Sequence, residues 1–200
     1  SALPLRKRPQ LVTTDGEFHT IRRQLDRLAE EGIEVIKVPA MPATTLAERL
    51  AIIVDDRTAA VLVSSVLYAN AHIVPNLRVV QAACDRVGAE LLVDAYHALN
   101  VVPFSLTEEG LQRAYVVGGG YKYCQLGPGN GFLRFPQDTE LRPVVTGWFS
   151  EFTDLSRAPA GGRGAYGRGP GRFAGAADDF TSPSRAAGGI GRGSGRVKVE

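Results

Sequence analysis

Two short apolar runs constrain this chain more than any other feature, because each is too uniformly hydrophobic to have a wet face. Ala59-Ala-Val-Leu-Val-Ser64 and Glu90-Leu-Leu-Val-Asp94 are also too short to be buried helices. Runs of this kind are strands covered on both sides, as in parallel sheets with helices packed on each face. The intervening stretches supply such helices. Residues 18–31 put Ile21, Leu25 and Leu28 at spacings of four and three, and Gly32 stops the helix. Residues 77–87 put Leu77, Val80, Cys84 and Val87 on one side, and Gly88 closes the turn. Thr45 stands as an N-cap with Glu48 three residues on, a capping-box pattern opening a short helix to about Ile53. Residues 11–14, 33–38, 115–117 and 131–135 complete the strand candidates. Strands alternating with amphipathic helices predict an α/β fold, a mostly parallel sheet with right-handed crossovers.

Composition agrees with that fold and divides the chain. Of 200 residues 44% are hydrophobic, enough for a sizeable core. No run reaches the length of a membrane-spanning helix. The first residues lack the apolar centre of a signal peptide. Two cysteines, Cys84 and Cys124, have no metal-like or redox-motif spacing, so reduced thiols and a cytoplasmic location are expected. Residues 156–200 hold 12 of the 23 glycines and eight basic residues against three acidic ones, a balance of +5. Residues 1–155 carry 15 basic and 18 acidic residues, a balance of −3. The expected organisation is therefore a folded unit over 1–155 and a Gly/Arg-rich tail over 156–200. The stretch from Gly188 onward has no helical or strand period and is read as disordered or as a damaged continuation. The rival is an Arg-Gly segment in which Tyr166 and Phe173 stack on single-stranded RNA. The modest charge over 45 residues weighs against nucleic acid.

In parallel sheets, ligands collect beyond the carboxyl ends of the strands. Three polar features fall at such ends: Ser64-Ser65, Asp94 with His97, and Gly118-Gly-Gly-Tyr-Lys122. Asp94 ends a buried strand, where a carboxylate is costly without a cation or several donors. It reads either as a helix cap or ion pair, or as the counter-ion of a ligand cation. His97 shares its side if a helical turn follows the strand; the alternative is a structural histidine. Lys122 sits among aromatics after three glycines. An amine removed from water is suited to nucleophilic and Schiff-base chemistry, and the glycines would let backbone approach a ligand. The spacing excludes a Walker-type phosphate loop.

Asp94-Ala-Tyr-His97, followed by Gly120-Tyr121-Lys122-Tyr123 and Gly127-Pro-Gly129, resembles the pyridoxal-phosphate enzymes of the class V aminotransferase superfamily. Within it, the pattern looks most like kynureninase and kynureninase-like proteins, over roughly residues 11–155. The resemblance implies the large domain of a fold type I enzyme, binding pyridoxal 5'-phosphate and assembling as a homodimer. By position, Lys122 would hold the cofactor as a Schiff base. Asp94 would pair with the protonated pyridine nitrogen, His97 would sit beside the cofactor, and Tyr121 would help bind its phosphate. Phe18, in Glu17-Phe-His-Thr, would lie against the pyridine ring, and Ser64 would contact the cofactor. Trp148, in Thr146-Gly-Trp-Phe, would reach the phosphate across the dimer interface; otherwise it is an ordinary core aromatic.

The activity implied is hydrolytic Cβ–Cγ cleavage of a kynurenine-type amino acid. The alternatives are a class V aminotransferase acting on another amino acid and a non-catalytic remnant. Cysteine desulfurase is set aside here, because Cys84 falls on the buried side of a helix and Cys124 follows the lysine too closely. Compared with the family, the segment before Leu11 that supplies an N-terminal arm and a phosphate-cradling turn is missing and the C-terminal domain has no counterpart, which reads as truncation at both ends. Gly120 also stands where the family often has a hydroxyl residue.

Overall fold

The computed structural model describes residues 2–154, 162 and 164–175. Its centre is a six-stranded sheet in the order β2-β1-β3-β4-β5-β6. The strands are β1 (Gln10–Thr14), β2 (Glu34–Val38), β3 (Thr58–Ser64), β4 (Glu90–Asp94), β5 (Tyr115–Gly119) and β6 (Gly131–Arg134). All neighbours pair in parallel except β5 and β6, which run antiparallel. The helices are α1 (His19–Glu30), α2 (Leu46–Ile53) and α3 (Leu77–Val87).

The apolar runs behave as their composition requires. In β3 every residue but Leu62 is buried, and β1 is buried throughout. The larger core cluster joins one face of the sheet, including Val12, Val61, Val63, Leu91 and Val93, to Leu46 and Leu50 of α2 and to Leu77, Val80 and Cys84 of α3. A second cluster on the opposite face packs Leu25 of α1 against Leu11, Ala59 and Ala60. The sheet is thus covered on both sides, as a strand without a polar face demands. Burying a leucine or valine side chain contributes about 1.5–3 kcal/mol, and twelve large side chains are almost fully enclosed. Among the described residues, no helix is long and apolar enough to cross a membrane.

One local expectation fails. Thr45 makes no side-chain cap; it ends a 3-10 turn over Ala43–Thr45, its hydroxyl faces the Pro42 carbonyl, and Arg49 Nε donates to it. The Glu48 carboxyl does not reach back, and its Oε2 is buried without a hydrogen-bond partner. The preceding tight turn consumes the geometry that a capping box needs.

Part of the glycine-rich segment is described and lies against residues 135–150. Phe173 stacks on Phe135 at 5.1 Å between ring centres. The Tyr166 hydroxyl donates to the Pro143 carbonyl, its ring lies under Arg142 at 4.4 Å, and Arg172 donates to the Leu141 carbonyl. The two aromatics of the RNA-stacking alternative are therefore engaged within the chain. The stretch from Gly188 onward lies outside the described residues.

Candidate active site

Parallel pairing sets the site. Ser64 lies opposite Asp94, and Asp94 opposite Val117, so the carboxyl ends of β3, β4 and β5 stand side by side. Each strand then leads into a turn that carries a reactive or aromatic group. After β4, Ala98 and Leu99 both donate to the Ala95 carbonyl, and this helical turn puts Tyr96 and His97 on the rim. After β3, the segment to Val74 folds back through a Val66–Ile73 bridge and presents Tyr68. After β5, the turn closed by Gln125 on the Lys122 carbonyl carries Tyr121 and Lys122. Phe18 caps α1 from the end of β1.

Together these turns enclose a cavity of about 370 Å³, bordered by Phe18, Ser64, Asp94, His97, Tyr121 and Lys122. Its size is within the range of ordinary small-molecule sites. Lys122 Nζ lies 2.8 Å from His97 Nε2. Rings surround the same amine, with Phe18 at 5.0 Å, Tyr96 at 5.4 Å and Tyr121 at 5.7 Å from their centroids. Tyr68 stacks on His97 at 5.7 Å and meets Phe18 edge-on at 5.0 Å.

The titrating groups are perturbed for physical reasons. Burial raises the Asp94 carboxyl above its usual range, although the Tyr96 backbone N–H donates to it at 2.8 Å and Lys122 and His97 act in the opposite sense. Burial, then the Lys122 charge, lowers His97 and so favours its neutral imidazole, whose Nε2 shares a hydrogen bond with the Lys122 amine. Burial also raises Glu17, against hydrogen bonds from Ser64 and Thr14.

Six of the seven residues singled out in the sequence therefore border one cavity. Trp148 does not. Its indole is 59% exposed and packs on Phe149 and Phe152, away from its own chain's cavity. The Ser64 hydroxyl is also engaged: it donates to Glu17 Oε2 at 2.5 Å. The role read into the glycines needs correcting. A Cβ on Gly119 would come within 2.5 Å of the Tyr96 ring, and one on Gly118 within 2.7 Å of Leu99 and Phe132. Gly120 is filled in the same way by Leu126. These glycines make room for the chain's own side chains, not for a ligand. Sequence reasoning missed Glu17, Tyr68 and Tyr96. Glu17 and Tyr96 adjoin flagged residues, whereas Tyr68 lies in an aperiodic loop with nothing to mark it.

Among the described residues no group of three or more His, Cys, Asp or Glu side chains is placed to hold a metal ion. No protein-family model and no curated protein matches the sequence. Solved structures do match in fold. The cystine C-S lyase C-DES, in complex with its reaction product cysteine persulfide, aligns at 21% identity with a TM-score of 0.73, covering 94% of this chain and 50% of that one. A cysteine desulfurase from Thermococcus onnurineus NA1 aligns at 17% identity and a TM-score of 0.72, covering 92% and 44%. The desulfurase CsdA of Escherichia coli aligns at 12% and 0.72, covering 92% and 45%. The fold is that of a fold type I pyridoxal-phosphate enzyme domain. The chain spans about half the length of these structures. They are C-S lyases and desulfurases, so the kynureninase closeness read from the motifs finds no support among them. At these identities the likeness reaches the fold and not the branch.

Proposed function

We propose that this chain carries the cofactor site of a pyridoxal-phosphate-dependent enzyme acting on an amino acid. The observation that carries the reading is one cavity bordered by a lysine amine, the histidine hydrogen-bonded to it, a half-buried carboxyl and aromatic rings. The fit rests on Asp94. It is a half-buried carboxyl with one backbone donor, raised by burial, and so favours a cation delivered into the cavity. A variant of the C-DES lyase, with 22% identity and a TM-score of 0.67 over 90% of this chain and 47% of that one, has glycine covalently linked to its PLP cofactor.

In this reading Lys122 would supply the attachment amine and Asp94 the anion for the cofactor's ring nitrogen, while Phe18 would pack against the ring and Tyr121 would help hold the phosphate. When bound, the cofactor supplies an electron sink for carbanions at the substrate α-carbon. His97 Nε2, hydrogen-bonded to the Lys122 amine, would hold that amine in place at the cavity. The exposed Trp148 would act on a cavity only across a homodimer interface.

The resemblance to kynureninase-like proteins is what suggests hydrolytic Cβ–Cγ cleavage of a kynurenine-type substrate; the motifs themselves do not separate it from amino-group transfer. A second reading, β-cleavage of a carbon–sulfur bond, is favoured by the C-S lyase likeness. The chain's two cysteines do not offer a persulfide carrier. Cys84 is fully buried, with its thiol pushed up to about 12, and the half-buried Cys124 is also raised by burial. Purified protein with added pyridoxal 5'-phosphate is expected to develop a visible absorbance band that Lys122→Ala lacks. Assays with kynurenine, with cystine, and with an amino acid plus a keto acid then separate hydrolase, lyase and transaminase. No band in the wild type would refute the cofactor reading.

A further inference from the structure

Phe18 borders the cavity and meets Tyr68 edge-on at 5.0 Å, so its placement depends on that exposed ring and on the backbone that carries it. That backbone is fastened at Glu17, which is only 5% exposed. Three donors converge on the Glu17 carboxyl: the Thr14 hydroxyl at 2.8 Å, the Ser64 backbone N–H at 3.1 Å and the Ser64 hydroxyl at 2.5 Å. The turn between β1 and Glu17 is held from the other side as well. The Gly16 N–H donates to Thr14 Oγ1, Asp15 accepts from the Ala40 N–H, and a Cβ on Gly16 would meet Ala40 at 2.7 Å.

Burying a carboxyl costs free energy that apolar residues filling the same space would not. Its hydrogen bonds offset that cost, and their geometric result is to lock the residue before Phe18 to the end of β3. We propose that Glu17 is the positioning residue that seats Phe18 over the cavity, and that the Ser64 hydroxyl serves Glu17 rather than a bound ligand. This rests on the reading that the cavity takes pyridoxal 5'-phosphate, and it changes the part that the sequence resemblance gives to Ser64.

The test is titration of purified protein with pyridoxal 5'-phosphate, combined with amide hydrogen exchange of residues 16–21 without cofactor. Phe18→Ala is expected to weaken binding roughly tenfold, the scale of one lost stacking ring. Glu17→Ala and Ser64→Ala should approach that loss and speed exchange in the 16–21 segment. Glu17→Gln, which keeps an acceptor for the Ser64 N–H and gains a donor for its hydroxyl, should stay within about twofold of wild type. In a Phe18→Ala background, Glu17→Ala and Ser64→Ala should cost almost nothing more. If Ser64→Ala keeps its full cost there, its hydroxyl acts on the ligand directly and the proposal fails. Wild-type affinity and exchange in both Glu17→Ala and Ser64→Ala overturn it too. Should Glu17→Ala not fold, the Ser64→Ala and Phe18→Ala pair decides between the same two outcomes. A wild type that takes no cofactor refutes the cofactor reading itself, an outcome distinct from bound cofactor with no Glu17 effect.

Discussion

The parallel strands β1, β3, β4 and β5 have two polar ends, and these ends do different things. At the amino ends the groups close on one another. Thr58 donates to Gln10 Oε1, Arg8 donates to the Thr58 and Val87 carbonyls, and the hydroxyls of Tyr115 and Thr139 meet. At the carboxyl ends, Asp94, His97 and Lys122 border a cavity, and Glu17 lies behind it on Ser64. A shifted pKa alone does not tell the ends apart, since Glu90 at the amino end is also raised by burial. What differs is open volume, with an amine and aromatic rings facing it.

If the two ends are separate functions of one scaffold, a truncation midway between them should damage both through stability alone. Leu91 of β4 is fully buried. Leu91→Ala is expected to lower unfolding free energy by about 2–5 kcal/mol in a denaturant titration, while the folded fraction keeps its cofactor affinity. An affinity loss in protein shown to be folded would mean the ends are coupled. Asp94→Asn should act only at the carboxyl end. Turnover should fall by roughly a hundredfold or more, the scale of losing one aimed charge. The cofactor-free protein should meanwhile be no less stable at neutral pH, because a carboxyl raised by burial is costly when ionised.

Arg8→Ala is the converse probe. Losing its two backbone acceptors should cost about 1–2 kcal/mol of stability and leave turnover unchanged. Changed turnover would break the division between the ends. The smallest effect concerns pH. The raised Glu17 binds its proton more tightly folded than unfolded. Its contribution is complete below the ordinary glutamate value of 4.5 and declines as pH climbs through its higher folded value. Melting of cofactor-free Glu17→Gln should lack that part of the decline, and a slope equal to wild type would show that Glu17 is not raised.

The same division explains what could be read from sequence. α3 and β4 run over the residues that their hydrophobic periods mark, because burial on one or both faces writes itself into spacing. The antiparallel direction of β6 could not be read, since an apolar run has no polarity along the chain. The six residues around the cavity were legible because strand ends and motifs mark them. Tyr68 was not, because its place depends on a bridge within an aperiodic loop. The glycines before Lys122 mislead because sequence shows a missing side chain but not which neighbour fills the space. Nothing in the residues around Glu17 marks it as buried, and only the folded turn brings it to Ser64.

The proposed function turns on Lys122 as the amine that takes pyridoxal 5'-phosphate. Its most direct test is incubation with the cofactor, reduction with borohydride, and peptide mapping by mass spectrometry. A near-stoichiometric pyridoxyl group is expected on the peptide containing Lys122, absent from Lys122→Ala. Label spread over surface lysines such as Lys7 and Lys37, and undiminished in Lys122→Ala, would contradict it.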